Sequence, residues 1–564
     1  MSDGRKRILI VGGVAGGASC AARARRLCER CEIVIFDRGP YVSFANCGLP
    51  YYVGDVIEEE EALLVATPER FRDRFDIQVH TETEVTRIDR GAREIEVRDL
   101  RSGETRREAY DALVLSPGAE AVRPPLPGID LPGVFVLRTI PDSRRIREAV
   151  QGASRALVVG GGFIGLEMTE NLVRRGLDVT VVELAEQLLP PLDPEMASPV
   201  AARLREHAVS LRLRQSLESL EERPDGGLLA RTSSGESIET DIAILAIGVR
   251  PLAALAREAG LELGSRGGIR VDEQMRTSDP DIWAVGDAVE VRDVVTGSMQ
   301  LVPLAGPANR QGRIAAATIL GRGGAEAEPR ERSAARFRGV QATAICGVFD
   351  LTIAITGASE KSLQRAGIER YAKVYLHPGS HVGYYPGASP IHMKLLFSSE
   401  DGRILGAQAV GEAGVARRID VIAMALQMGG TVFDLEEAEL CYAPQFGAAK
   451  DPVNLAGMIA ANHLRGDLPL ADWSELQRGD VEIVDVRSAD EFEEEGHLPG
   501  SRNIPLEELR GRLDELPLDR EIYLVCGVGQ RAYYATRALL QRGFDVKNLS
   551  GGLKTYRAIR DADG

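Results

Sequence analysis

Unbroken apolar runs, each closed by glycine, set the pattern of the chain. Ile8-Leu9-Ile10-Val11 leads into Gly12-Gly13, and a stretch rich in small residues continues to Leu27. A second run, Ile33-Val34-Ile35-Phe36, ends at Asp37. The design recurs at Ala156–Val159 before Gly160-Gly161-Gly162, with a helical stretch to Arg175 and a strand from Asp178 to Glu183. Continuous rather than alternating apolar strands predict parallel sheets covered on both faces. The chain therefore carries two strand–helix–strand units of dinucleotide-binding type. Ala112–Gly118 and Ile242–Gly248 each add a strand ending in a Pro/Gly or glycine turn. Leu320 to Glu331 reads as a linker, and residues 335–450 as a mixed α+β domain. Arg465 to Leu470 marks a second boundary. Residues 470–564 then start afresh: a strand from Glu482, a helix near Asp490, a strand over Glu521–Val525 and a helix from Arg531.

Composition narrows the class. The 564 residues are 44% apolar and 27% charged, close to ordinary soluble usage, which argues against disorder, collagen and coiled coil. No apolar run reaches the ~18 residues that span a bilayer. Met1 to Arg7 is short and charged and leads straight into a strand, unlike a signal peptide. The net charge of −16 works against sequence-blind binding to nucleic acid or anionic membrane. Seven cysteines are too few for a disulfide scaffold. With no export signal the expected location is a reducing cytoplasm, where single cysteines are candidates for chemistry. Cys28-Glu-Arg-Cys31 is a lone CxxC with no second pair to complete a zinc site, and it reads as structural or incidental. The seven histidines show no metal spacing, and no metal is expected.

Glycine turns at helix starts bind pyrophosphate, because free backbone N–H groups and the helix dipole face the anion. Gly160-x-Gly162-x-x-Gly165 fits the full pattern. Glu183, at the end of the next strand, would accept a ribose 2′-OH and repel a 2′-phosphate, which favours NADH over NADPH. The first turn, Gly12-x-Val14-x-x-Gly17, has valine at the second position, and Asp37 with its neighbour Arg38 follows at the end of the next strand. Thr277–Asp287 is an apolar strand closing in Gly286-Asp287. It resembles the second FAD fingerprint of two-dinucleotide-fold flavoproteins, in which the aspartate approaches the ribityl chain.

Ser43-Phe-Ala-Asn46-Cys47-Gly-Leu-Pro-Tyr51 is the sharpest local feature. It resembles the redox-cysteine motif of the coenzyme A disulfide reductases, the single-cysteine branch of the pyridine nucleotide-disulfide oxidoreductases. The resemblance covers about residues 5–455. It implies an FAD domain, an NADH domain and an α+β domain that forms a homodimer. The chemistry points the same way. No second cysteine lies between Val42 and Tyr52, so Cys47 must pair with an external thiol or cycle through a persulfide or sulfenic acid. A place near a helix start would lower its pKa. Ser19, Arg23 and Arg26 are spaced to share one helix face and suit a phosphorylated thiol such as coenzyme A (CoA). The resemblance assigns them to CoA together with Ser43, Asn46 and Lys450. It also makes Tyr385 and Tyr442 hydrogen-bond donors to the leaving thiolate of a partner subunit's site. Two positions depart from the family pattern. Phe75 stands where some relatives have a CoA-binding lysine, with Arg74 adjacent, and Asn309 stands where some have a histidine.

The tail resembles a single-domain rhodanese over nearly its full length, through Ile483–Arg487, Gly496–Ser501 and the loop Val525-Cys526-Gly-Val-Gly-Gln-Arg531. A glycine-rich loop between strand and helix forms an anion nest. Such a nest would stabilise a Cys526 thiolate or persulfide, with Arg531 adding positive charge.

The expected fold is thus α/β. Residues 1–115 and 245–330 form a discontinuous Rossmann-like FAD domain, and 116–244 an NADH domain. Residues 331–455 form the α+β dimerisation domain and 466–564 an α/β rhodanese domain. The expected activity is NADH-dependent, FAD-mediated reduction of CoA persulfide or polysulfide sulfur to sulfide at Cys47, with Cys526 handling sulfane sulfur. The rivals are a CoA disulfide reductase that maintains the thiol pool, an NADH oxidase or peroxidase cycling Cys47 through sulfenic acid, and a non-catalytic redox sensor or sulfur carrier.

Overall fold

A computed structural model describes residues 5–224, 226–321, 336–478 and 481–563. From residue 322 on, the expected linker Leu320–Glu331 falls outside the described residues. The chain divides into two compact units, and residues 185–207 belong with the second. Among the described residues no helix is long and apolar enough to cross a membrane.

The first unit comprises residues up to Leu184 and from Ala208 to Ala342. It is built on two five-stranded parallel sheets. One has the strand order 282–284, 112–115, 7–11, 32–36, 78–80. The other runs 210–212, 178–182, 155–159, 242–245, 134–136. Their central strands are buried on both faces: Ile8, Leu9, Ile10, Leu157 and Val158 expose nothing. Alternation would have left polar side chains inside, so only continuous apolar runs can occupy these positions.

Both glycine turns are built alike. Gly12 (φ +91°) and Gly160 (φ +109°) take the left-handed backbone that glycine alone adopts freely. A Cβ on Gly17 would overlap the Gly12 carbonyl, and one on Gly165 the Gly160 carbonyl. The third glycine of each motif thus lets the helix start touch the strand end. The middle position carries no such demand. A Cβ at Gly162 meets nothing, and Val14 has an ordinary φ of −92°. The helix Ala15–Leu27 packs on Ala305–Ile319 through Gly16 and Gly312, where a methyl group on Gly312 would strike the Gly16 carbonyl.

The second unit joins two further sheets. An antiparallel one has the order 344–348, 351–357, 404–411, 391–398, 371–376. A parallel one follows the order 470–471, 546–549, 522–525, 482–485, 502–503. Strand and helix join them: the Tyr375 N–H donates to Ser550 Oγ at 3.0 Å, and Lys373 pairs with Asp472 at 2.7 Å. The helix Pro194–Glu206 also packs here, although its residues lie inside the stretch 116–244 that the sequence assigns to the NADH domain. Its anchor is the fully buried Lys394 ammonium, which reaches Asp193 at 2.7 Å and Glu195 and Glu360 at 2.5 Å each. The three carboxylates are close enough to hold a metal ion, but the cation among them is the protein's own lysine.

Cys28 and Cys31, read from sequence as structural or incidental, are joined in a disulfide at the end of the first helix. Cys20 and Cys346 are buried free thiols, as their apolar contexts imply.

Candidate active site

Each strand-end acid braces its own glycine turn. Asp37 accepts from the Gly13 N–H and the Gly39 N–H, both at 2.8 Å. Burial pushes its carboxyl up, against the lowering effect of those two bonds. Glu183 accepts from the Gly161 N–H at 2.6 Å. Arg38 is exposed and faces Glu84 at 3.9 Å. Asp287 follows Gly286 and takes an ion pair from Arg138 at 2.6 Å, while Arg138 Nε donates to the Ala119 carbonyl. These features fit two dinucleotides. Helix-start amides face the turns, acids stand at ribose distance along the chain, and the space beside Gly162 is open.

Cys47 lies in the single turn Asn46–Gly48, just before the short helix Leu49–Val53, and is exposed. Ser43 is wedged against the first glycine turn. Its N–H donates to the Gly13 carbonyl at 2.9 Å and its φ is +50°, a conformation non-glycine residues rarely take. The Asn46 side chain reaches the Arg138 carbonyl at 3.5 Å. The helix-start expectation for the thiol does not hold. Desolvation by crowding and the Glu167 carboxylate push the Cys47 thiol up, Arg138 opposes this, and Asp287 adds to it. A five-residue helix has too weak a dipole to reverse these effects.

Glu167, Arg138 and Tyr51 are the residues sequence reasoning missed. Desolvation raises the Glu167 carboxyl to about 7, and Tyr51 OH donates to it at 3.4 Å. The available signal was a glutamate within the apolar first turns of a helix, Phe163-Ile-Gly-Leu-Glu167-Met.

Ser19, Arg23 and Arg26, expected from the resemblance to contact CoA, lie on the more accessible side of the first helix. Ser19 and Arg23 are half-buried and Arg26 is exposed, whereas Ala18, Cys20, Ala21, Ala24 and Arg25 are buried. Ser19 Oγ donates to Asn309 Oδ1, so the position that departs from the family's histidine holds the serine. Arg25 serves the fold, donating to the carbonyls of Phe75, Cys28, Glu29, Cys31 and Asp76.

In the second unit Tyr384, Tyr385 and Tyr442 are all exposed, as is Lys450. Tyr442 OH pairs with Tyr384 OH at 2.7 Å, while Tyr385 packs edge-on against His381. The tyrosine joined to Tyr442 is thus Tyr384.

Cys526 ends the strand Ile522–Val525 and is 1% exposed. Its sulfur accepts from the Gly529 N–H at 3.1 Å and the Ala532 N–H at 3.5 Å, at the start of the helix Gln530–Leu540. Gly529, at φ +91°, turns the loop so that these amides converge. Arg531 makes a two-pronged pair with Glu491, both contacts at 2.6 Å, and holds that carboxyl down at about 2. Its charge is largely matched by Glu491, so the backbone amides are the nearer support for the sulfur. The helix Gly552–Asp563 covers the loop from behind, with Leu553 N–H and Lys554 N–H donating to the Cys526 and Gly527 carbonyls.

Two parallel sheets with paired glycine turns and an exposed cysteine beside one of them are the features of a dinucleotide-dependent oxidoreductase, and a second cysteine sits in an amide nest of its own. The pattern of the pyridine nucleotide-disulphide oxidoreductases matches residues 6–312 and that of their dimerisation domain residues 343–451. The rhodanese-like domain matches residues 472–559. The chain belongs to the pyridine nucleotide-disulphide oxidoreductase family and carries a rhodanese domain. It is 35% identical over 456 residues to a coenzyme A disulfide reductase of Staphylococcus epidermidis, covering 80% of this chain and 99% of the relative. The crystal structure of reduced Bacillus anthracis CoADR-RHD is 46% identical, covers 99% of this chain and 98% of that one, and superimposes with a TM-score of 0.94. An NAD-dependent persulfide reductase from A. fulgidus is 37% identical over 98% of this chain and 100% of that one, with a TM-score of 0.88. The family implies FAD and NAD(P)H as cofactors.

Proposed function

We propose that the chain uses NADH, through FAD, to reduce the S–S bond of a CoA persulfide or CoA disulfide at Cys47, and that Cys526 holds the sulfane sulfur. The observation that carries this reading is the coexistence of two differently housed cysteines. One is exposed beside a dinucleotide turn and lacks a local partner, and the other is buried in an amide nest. FAD, when bound, relays two electrons from NADH to sulfur. The chain's own residues do the rest. The Cys47 thiolate attacks the substrate S–S bond; one sulfur leaves as sulfide or thiol and the other remains bonded to Sγ. Two electrons and a proton then cleave that second bond, freeing the bound thiol and restoring the thiolate.

Ser19, Arg23, Arg26, Ser43, Asn46 and Lys450 are the CoA contacts in this reading. Gly12, Gly17, Asp37, Arg38 and Asp287 hold FAD, and Gly160, Gly162, Gly165 and Glu183 hold NADH. Glu183 favours NADH because a 2′-phosphate would meet its carboxylate. Tyr385 and Tyr442, the latter with Tyr384, supply the proton to the leaving thiolate in a second subunit. The exposed Tyr384, Tyr442, Phe446, Met424 and Met428 support a homodimer through this domain, since so many large apolar groups rarely face water together.

The test is anaerobic NADH oxidation by the purified holoenzyme, with CoA persulfide and CoA disulfide offered in parallel and sulfide assayed. Faster turnover with persulfide, with one sulfide per NADH, is the expected result. Faster turnover with the disulfide would make thiol-pool maintenance the primary role. Turnover with oxygen alone would move the chain toward the water-forming NADH oxidase of Lactobacillus brevis, which is 26% identical over 82% of this chain and 99% of that one with a TM-score of 0.76.

A further inference from the structure

The loop that holds Cys526 does not stand alone within the second unit. Behind it, a continuous set of contacts runs to the antiparallel sheet. The Cys526 and Gly527 carbonyls are held by the N–H groups of Leu553 and Lys554 at 2.9 and 3.0 Å. Gly551 and Gly552 both take positive φ, at +74° and +63°. A Cβ on Gly552 would overlap the Cys526 carbonyl, and one on Gly551 would overlap Thr555 Oγ1 and press on Tyr375 Cβ. There is no room for a methyl group between the loop, the helix start and the strand Tyr371–Leu376.

One residue later the contact becomes specific. Thr555 Oγ1 lies 2.8 Å from His377 Nε2, and His377 Nδ1 lies 3.1 Å from His392 Nδ1. Thr555 is 2% exposed. Two facing Nδ1 atoms can bond only if one carries a proton and the other does not, so the two rings are never both charged. Their surroundings favour the neutral form of each. Burial, each other and the nearby Lys554 ammonium push His377 to about 3, and burial with Lys554 pushes His392 to about 4. The groups facing His377 are then His392 from the neighbouring strand, and Thr555, Lys554 and the Gly551 backbone from the C-terminal segment.

We propose that His377, the residue just past the strand Tyr371–Leu376 of the dimerisation domain, is a positioning residue for the rhodanese cysteine: through Thr555 it fixes the first turn of Gly552–Asp563, and so the loop whose amides hold the Cys526 sulfur. The inference rests on Cys526 being the sulfur-carrying thiol, but not on the acceptor at Cys47. Sulfur transfer at Cys526 then depends on a residue outside the rhodanese domain.

The experiment uses the full-length holoenzyme with Thr555→Val, His377→Phe and His377→Gln. Two signals are read: the pH profile of Cys526 alkylation by iodoacetamide, scored on the Cys526 peptide, and kcat for sulfur transfer from thiosulfate to cyanide. Thr555→Val and His377→Phe are expected to move the alkylation midpoint up. That lowers the rate near neutrality by about tenfold, as a shift of about one unit in a thiol's titration requires. His377→Gln, whose amide can still meet the Thr555 hydroxyl, restores most of it. Anaerobic NADH oxidation through Cys47 is expected to be unchanged. A wild-type alkylation profile in both Thr555→Val and His377→Phe overturns the proposal. So does a loss that follows only the fall in thermal midpoint and is not rescued by Gln. Should His377→Phe fail to fold, Thr555→Val decides alone. If wild-type Cys526 transfers no sulfur at all, it is the sulfur-carrier reading that fails, and the alkylation profile still reports on positioning.

Discussion

A carboxyl that titrates near neutrality beside a reactive thiol makes the charge of one depend on the charge of the other. Glu167 is neutral below about pH 7, where it leaves the Cys47 thiolate unopposed, and negative above it, where it repels that thiolate. Glu167→Gln removes the repulsion but keeps the shape. Its alkylation midpoint at Cys47 is expected to fall by about half a unit, a modest share of what a nearby like charge can do. An unchanged midpoint in the pH profile of alkylation would show that desolvation alone sets the thiol. The same scale explains two partial readings from sequence. Arg531 was legible as a cation next to Cys526, but its partner Glu491 lies forty positions away. Tyr385 and Tyr442 were singled out by motif, but the hydroxyl that Tyr442 meets is that of Tyr384, fifty-eight positions away. A motif names a residue type at a spacing; what that residue bonds depends on segments the motif does not contain.

At the scale of elements, the two strand–glycine–helix units can be tested against each other, because the same contact recurs in both. Gly17→Ala places a methyl group into the Gly12 carbonyl, and Gly165→Ala does the same to Gly160. Each overpacking should cost about 1–3 kcal/mol locally. Gly17→Ala is expected to lose flavin, seen as loss of visible absorbance. Gly165→Ala should stay yellow but show about a tenfold or greater rise in KM for NADH. Flavin loss from Gly165→Ala would contradict the assignment of the two turns. These turns were readable because a left-handed glycine and a close-contact glycine leave a fixed spacing in the chain. Val14 departs from that spacing at the middle position, where its negative φ makes no demand for glycine. The Cys28–Cys31 disulfide was not readable. A CxxC pair is compatible with thiols, metal or disulfide, and only the turn that Arg25 holds brings the two sulfurs together.

For the whole molecule, the assignment of residues 185–207 turns on one buried cation. Removing Lys394 would leave Asp193, Glu195 and Glu360 facing one another without a counter-charge. Lys394→Met is therefore expected to cost about 3–5 kcal/mol, read as a lower denaturant midpoint and as early hydrogen exchange in 185–207. A midpoint equal to wild type would mean that the carboxylates simply take up protons. Acid should act on the same unit. His377 and His392 titrate far below 6.5 in the folded chain, so their neutral forms contribute stability that is complete above about pH 6.5 and is lost as pH falls toward 4 and 3. Glu491 adds a loss in the same direction between 4.5 and about 2, a small one because it is partly exposed. Calorimetry at falling pH should show the transition of the second unit dropping first, and His377→Gln should flatten the upper part of that fall.

By itself the amino-acid sequence determined the strands, the two glycine turns and the two cysteines placed at strand–loop–helix junctions. It also carried the family resemblance. Each of these is written in local spacing: apolar runs too continuous for a water-facing sheet, glycines where no side chain fits, and a thiol with no second thiol near it. Tertiary structure alone decided the neighbours of Cys47, the tyrosine paired with Tyr442, the cation among three carboxylates and the passage of a helix to the second unit. It also decided that a histidine of one domain meets the C-terminal helix of another. Those outcomes depend on charge and hydrogen-bond partners brought together from positions often a hundred or more residues apart, and no local pattern records them.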